Sequence, residues 1–149
     1  MNNKQPPAVV ITYIAATIGL ADSIYLTIIK FTENKNLCIQ GVGDCWSVNN
    51  SVYSEFYGIP ISILGAAAYL TILLLTFVGS RNHSLKETTH LITFGMTLAG
   101  SLYSVYLTYL EVAVLKAICP FCVLSAIAML TLFAITCARL LKPQAEPKP

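Results

Sequence analysis

Four stretches of this chain stay apolar for long enough to cross a lipid bilayer, and nothing else in it restricts the fold as much. Ala8 to Ile29, Ile61 to Val78, Thr88 or Thr89 to about Val114, and Cys119 to near Arg139 each suffice for about 30 Å of hydrocarbon at about 1.5 Å per helical residue. The composition points the same way. Hydrophobic residues make up 56% of the 149 and charged residues 11%, whereas a soluble domain carries about 25% charge. So little charge cannot cover a surface in water. The expected fold is therefore an all-α integral membrane protein, one domain built as a four-transmembrane-helix bundle. The formal net charge is only +2, with no basic cluster, so no nucleic-acid partner is expected.

The connections order the spans. Met1 to Pro7 reads as a disordered cytoplasmic leader, residues 8–142 as the transmembrane domain, and Pro143 to Pro149 as a disordered cytoplasmic tail. A cleaved signal peptide is the rival reading of the first span. Its apolar core exceeds the usual run of about 7–15 residues, and the leader carries little positive charge, so a retained helix is expected. Lys30 to Tyr57 is a polar loop in which Val48, Val52, Tyr53 and Phe56 fall near helical spacing, which predicts a short surface helix over Ser47–Tyr57. Pro60 suits the opening of the second span, since proline at the first helical position loses no hydrogen bond. Gly95, Ala99, Gly100, Ser101 and Ser104 let neighbouring backbones approach the third span closely. Lys116-Ala117-Ile118 is so short that the third and fourth spans must be antiparallel neighbours.

Four spans leave both termini on one side. Lys4, Arg81, Lys86, Arg139, Lys142 and Lys148 share that side, against Lys30, Lys35 and Lys116 on the other, and the basic excess assigns the termini to the cytoplasm. Aromatic residues such as Tyr25, Trp46, Tyr109 and Phe121 crowd the outer level, as an interfacial belt does. The same outer face receives four of the five cysteines: Cys38 and Cys45 in the loop, Cys119 and Cys122 at the entrance to the fourth helix.

Such a set can staple the fold, hold zinc or exchange disulfides. A bridge between Cys119 and Cys122 closes too small a loop to stabilise much. Structural four-thiolate zinc sites usually space both pairs closely, whereas six residues separate Cys38 from Cys45, so no metal is expected. Exchange fits best. Pro120 at the first helical position puts Cys119 near the cap and Cys122 in the first turn, where the amides and the dipole favour the attacking thiolate. Lys116 adds a positive charge close by, and disulfides persist in oxidising compartments. Cys137, toward the cytoplasmic end, reads as a small buried hydrophobe.

In chain order stand Asp22-Ser23-Ile24-Tyr25-Leu26-Thr27, Cys38 and Cys45, Ser51, Tyr57-Gly58-Ile59-Pro60-Ile61-Ser62-Ile63-Leu64-Gly65, and Cys119-Pro120-Phe121-Cys122. In that succession, over about Ile11 to Leu141, the chain resembles the vitamin K epoxide reductase family, and within it the bacterial members that drive disulfide formation. The resemblance implies an oxidoreductase of the bacterial inner membrane whose four cysteines face the periplasm. A thioredoxin-like (DsbA-like) protein would form a mixed disulfide at Cys38. Cys45 would exchange with Cys119, and Cys122 would deliver electrons to a quinone, ubiquinone or menaquinone, with Ser51 over the quinone site. Many relatives carry a fused thioredoxin-like domain after the fourth helix. This chain ends at Pro149, so a separate partner is expected.

Two departures bear on the substrate. Animal members that reduce vitamin K carry a Tyr where Ala126 stands, and an Asn at the place comparable to Ser54, so quinone reduction is expected over epoxide reduction. The rival functions are the animal-type vitamin K epoxide or quinone reductase and a non-catalytic membrane scaffold with structural cysteines. Asp22 inside an apolar span is either functional or a cap near its outer end. Glu111 is expected to reach headgroups, with a hydrogen bond to the quinone region as the alternative, His83 and His90 to be structural or solvated, and Tyr103 and Tyr106 either to line the quinone cavity or to pack helices.

Overall fold

In a computed structural model of the protein, residues 7–32, 38 and 43–141 are described. The expected leader, apart from Pro7, and the expected tail lie outside the described residues. The chain forms α1 (Pro7–Thr32), α2 (Cys45–Asn49), a 3-10 turn (Val52–Ser54), two short strands β1 (Glu55–Phe56) and β2 (Ile59–Pro60), α3 (Ile61–Arg81), a second 3-10 turn (His83–Leu85), α4 (Lys86–Tyr109), a π-helical turn (Leu110–Leu115) and α5 (Pro120–Leu141). By length and composition α1, α3, α4 with its π-turn, and α5 can each cross a membrane. Large apolar side chains such as Ile14, Leu74, Leu91 and Leu102 face outward, as helices that are hydrophobic all round require of a lipid surround.

The four long helices form a ring, α1 and α4 each packing on both α3 and α5. Small residues and polar pairs hold it, because in lipid no hydrophobic effect drives helices together. Gly19 on α1 lets the Tyr69 ring of α3 lie directly against its backbone, where any Cβ would overlap the ring. The Tyr69 hydroxyl crosses to α5 and donates to the Ser125 carbonyl at 2.8 Å. Toward the other end, the Thr97 and Thr136 hydroxyls hydrogen-bond between α4 and α5 at 3.1 Å.

Three local expectations are revised. The loop does not make one helix over Ser47–Tyr57. Helix α2 starts at Cys45, Ser51 turns to an extended backbone, and β1 and β2 then pair antiparallel. Tyr57 and Gly58 both take positive φ between them, the backbone of a type I′ hairpin turn. Helix α1 runs past Ile29 to Thr32, and Lys30 ties that end to the loop. Its Nζ donates to the Asn49 carbonyl (3.2 Å) and the Ser54 hydroxyl (2.8 Å) and pairs with Glu55 at 3.0 Å. Finally, α4 begins at Lys86. The start therefore lies ahead of Thr89, whose hydroxyl donates back to the Lys86 carbonyl and lies against Gly79.

Candidate active site

The cysteines meet because the loop is fastened to the entrance of α5. Gly43 takes φ +97° and passes so close to the Ile118 carbonyl that no side chain fits between them. The next amide, Asp44 N–H, donates to that carbonyl at 3.1 Å. The Asp44 side chain then accepts from Ser47 N–H at 3.1 Å and caps α2, the usual task of Asp at this position. Cys45 is thus set at the first position of one helix, beside Cys119 just ahead of Pro120 at the first position of another.

Cys38, Cys45 and Cys119 are buried in one cluster with Leu26, Ile29 and Val48, and Cys122 packs against it half-buried. Tyr25 and Phe121 stack across this cluster with centroids 5.0 Å apart, so these two aromatics wall the thiols and do more than form a belt. All five cysteines are free thiols in this structure. Their sulfurs form an ordered series: Cys45 is in hydrogen-bond contact with Cys38 on one side and Cys119 on the other, and Cys119 in turn with Cys122. The Cys122 amide also points at the Cys119 sulfur, 3.4 Å away. The Cys122 thiol, then the Cys45 thiol, and the first-turn amides of Cys122 and Phe121 stabilise negative charge on Cys119 and outweigh its burial, so its pKa falls to about 3. Cys45, as the donor to Cys119 and itself buried, is pushed up.

The far end of the series opens on a cavity of about 420 Å³ inside the helix ring, within the 300–1,000 Å³ usual for small-molecule sites. Its walls are mainly apolar, with Leu64, Met96 and Leu107 among them. Cys122, Glu111, Ser51, Ser62 and Tyr103 all reach its lining. The Ser51 hydroxyl donates to the Val48 carbonyl at 2.8 Å, whereas the Ser62 hydroxyl is buried with no partner among the described residues. Tyr106 points outward, half exposed. Ala126 lines the cavity, and Ser54 lines it near the mouth.

Glu111 does not reach headgroups. It is 4% exposed, because the π-turn from Leu110 to Leu115 and the left-handed Lys116 (φ 48°) swing its side chain under the start of α5. π-turns inside helices are frequently found at functional sites. One carboxylate oxygen accepts the Cys119 N–H at 3.0 Å, and the carboxyl is in hydrogen-bond contact with the Cys122 thiol. The sequence signal was present: an acid inside a span is a functional candidate by default. Asp22 is 6% exposed, with neither oxygen hydrogen-bonded among the described residues, and it interacts electrostatically with Cys119. It caps nothing among the described residues of the loop. Cys137 is half-buried near the opposite end of α5. Among the described residues no group of three or more His, Cys, Asp or Glu side chains is arranged to hold a metal ion.

Comparison with known proteins agrees with this arrangement. The family model described as the vitamin K epoxide reductase family matches residues 10–137. The chain is also similar to a protein of Arabidopsis thaliana named thiol-disulfide oxidoreductase LTO1, 31% identical over 122 residues. That match covers 78% of this chain and 32% of the relative, so the chain spans about a third of the relative's length. With all four long helices inside the matched range, the chain belongs to the vitamin K epoxide reductase family.

Proposed function

We propose that this protein is a membrane thiol:quinone oxidoreductase that re-oxidises a thioredoxin-like (DsbA-like) disulfide donor in the periplasm and so supports disulfide bond formation. The observation that carries the reading is the continuous series Cys38, Cys45, Cys119, Cys122, which leads from the loop to the cavity. Membership of the family and the printed name of the Arabidopsis relative support thiol–disulfide exchange. The basic residues Arg81, Lys86 and Arg139 at the opposite helix ends support a cytoplasmic location for that face and an outer one for the thiols.

The exchanges balance bond for bond. A partner thiolate attacks Cys38, the Cys38–Cys45 bond breaks, and Cys45 leaves as a thiolate. Cys45 attacks Cys119, and the Cys119–Cys122 bond breaks. The partner's second thiol then closes the partner's own disulfide and frees Cys38. Cys38 attacks Cys45, restores the loop disulfide and releases Cys119. Cys119 is a good leaving group in that last step because its thiolate is so well stabilised. Cys119 and Cys122 are then the reduced pair. When bound, a quinone would take up the two electrons given up as the Cys119–Cys122 bond re-forms, together with two protons.

The cavity fits such a group. Its length of apolar wall suits a flat ring and an isoprenoid tail, and the unpartnered Ser62 hydroxyl is a donor with no acceptor of its own. Ser51 would close the site from above. Ala126, small where a Tyr would fill the lining, favours quinone over the epoxide reading. The test is a trap. Cys45→Ser in cells is expected to accumulate a mixed disulfide through Cys38 with a thioredoxin-like protein, lost in Cys38→Ser/Cys45→Ser. No trapped partner, together with undiminished quinone reduction in Cys122→Ala, would overturn the reading.

A further inference from the structure

Among the described residues, Glu111 is the one ionisable group besides the cysteines themselves that touches both the Cys119–Cys122 pair and the cavity. Resting on the quinone reading above, we propose that Glu111 is a catalytic residue, the proton carrier that takes the proton from the Cys122 thiol and delivers it into the cavity as the Cys119–Cys122 disulfide forms. A carbonyl acceptor takes up two protons with its two electrons, and one of them starts on the Cys122 thiol. In a wall of apolar residues few groups can move them. Among the lining residues Tyr103 and Ser62 can donate, yet only Glu111 also reaches the sulfur.

The step balances. The reduced pair is a Cys119 thiolate and a Cys122 thiol, its sulfurs join in one S–S bond, and two electrons leave to the acceptor. Glu111 carboxylate takes the Cys122 proton and passes it to the acceptor oxygen at the thiol end of the cavity, ending as it began. The acceptor's second oxygen takes one proton from water, which closes the balance of charge.

The geometry that fits Glu111 for this is local. The π-turn aims its carboxyl below the first turn of α5, the Cys119 amide fixes one oxygen at 3.0 Å, and the rest of the carboxyl remains for the thiol. The ionisable groups that act on it are Cys119 and Cys122 from the start of α5; Lys116 follows its π-turn, and Tyr103 on α4 shares the cavity lining. Beyond them, Asp22 on α1 and Cys45 on α2 act on Cys119, and Tyr69 on α3 acts on Asp22.

Gln is the discriminating substitution, because its amide oxygen still accepts the Cys119 N–H but cannot carry a proton. Infrared difference spectra between the oxidised and reduced cysteine pair, taken without quinone, are expected to show a carboxylic-acid band that Glu111→Gln removes and Asp22→Asn does not. Pre-reduced Glu111→Gln should reduce a soluble ubiquinone analogue about 100-fold more slowly and lose the pH dependence of the wild type. Glu111→Asp should recover part of the rate and shift the band, and serves as the test if the Gln variant does not fold. A Glu111→Gln protein with the wild-type rate, pH profile and infrared band overturns the proton route and leaves the quinone reading standing. A wild-type protein whose reduced pair never reduces quinone overturns the quinone reading, and the route with it.

Discussion

The chemistry turns on how differently two neighbouring sulfurs are treated. Cys119 has no exposed surface, yet it receives hydrogen bonds from the Cys122 and Cys45 thiols and from two first-turn amides, which together hold its pKa at about 3. An ordinary thiol titrates near about 8.5 and loses about tenfold in thiolate for each pH unit below that. The reduced protein should therefore keep one thiolate from pH 8 down to about 5, visible as ultraviolet thiolate absorbance that Cys119→Ala abolishes. Cys122→Ala removes the strongest donor, so the remaining thiolate should disappear at a higher pH than in the wild type. A titration unchanged by that substitution would mean that the helix amides alone hold the charge. The spacing of Cys119 and Cys122 marked a stabilised thiolate at this helix entrance, since Pro120 places one at the cap and the other in the first turn, but not which sulfur carries it. Glu111 was not readable in the same way. In a regular helix its neighbours Tyr106 and Tyr109 put it at the lipid interface, and only the π-turn redirects it inward.

At the scale of the elements, one residue controls how the loop docks on the entrance of α5. Gly43 is the close approach: its positive φ costs an L-residue about 1–2 kcal/mol, before the overlap of any Cβ with the Ile118 carbonyl. Gly43→Ala is expected to release the Asp44–Ile118 hydrogen bond, and every 1.4 kcal/mol lost is about tenfold in the docking equilibrium. Hydrogen exchange at the Asp44 amide should quicken by at least that factor, and transfer between the Cys45 and Cys119 pairs should slow with it. The helix ring should keep its stability, because its contacts lie elsewhere. Unchanged exchange at Asp44 would show that the loop is held by other means. The sequence marked this loop as polar and cysteine-bearing but misjudged its secondary structure. Val48, Val52 and Phe56 keep helical spacing, while the Tyr57-Gly58 turn and the extended Ser51 break the helix into α2, a 3-10 turn and a hairpin. Short elements like these are set by what they pack on, here the end of α1 through Lys30, and a local pattern does not contain that partner.

Across the whole molecule the bundle joins the two environments that the proposed reaction needs, the thiol cluster at one end and an apolar interior of about 420 Å³. The four spans were legible because bilayer thickness sets their length, and the antiparallel α4–α5 pair because their connection is so short. The cavity was not, because it arises where small residues of separate helices, Gly65, Gly100 and Ala126, face one another. The most direct test of the four-thiol relay follows electrons from one environment to the other. Purified protein in detergent is mixed with a reduced DsbA-like thioredoxin-fold protein and a soluble ubiquinone analogue, and the quinone absorbance is followed for wild type and for Cys38→Ser, Cys45→Ser, Cys119→Ser and Cys122→Ser. The expected result is turnover in the wild type and at least a 100-fold loss in every variant. Turnover that survives loss of Cys45 or Cys119 would contradict a path through all four sulfurs.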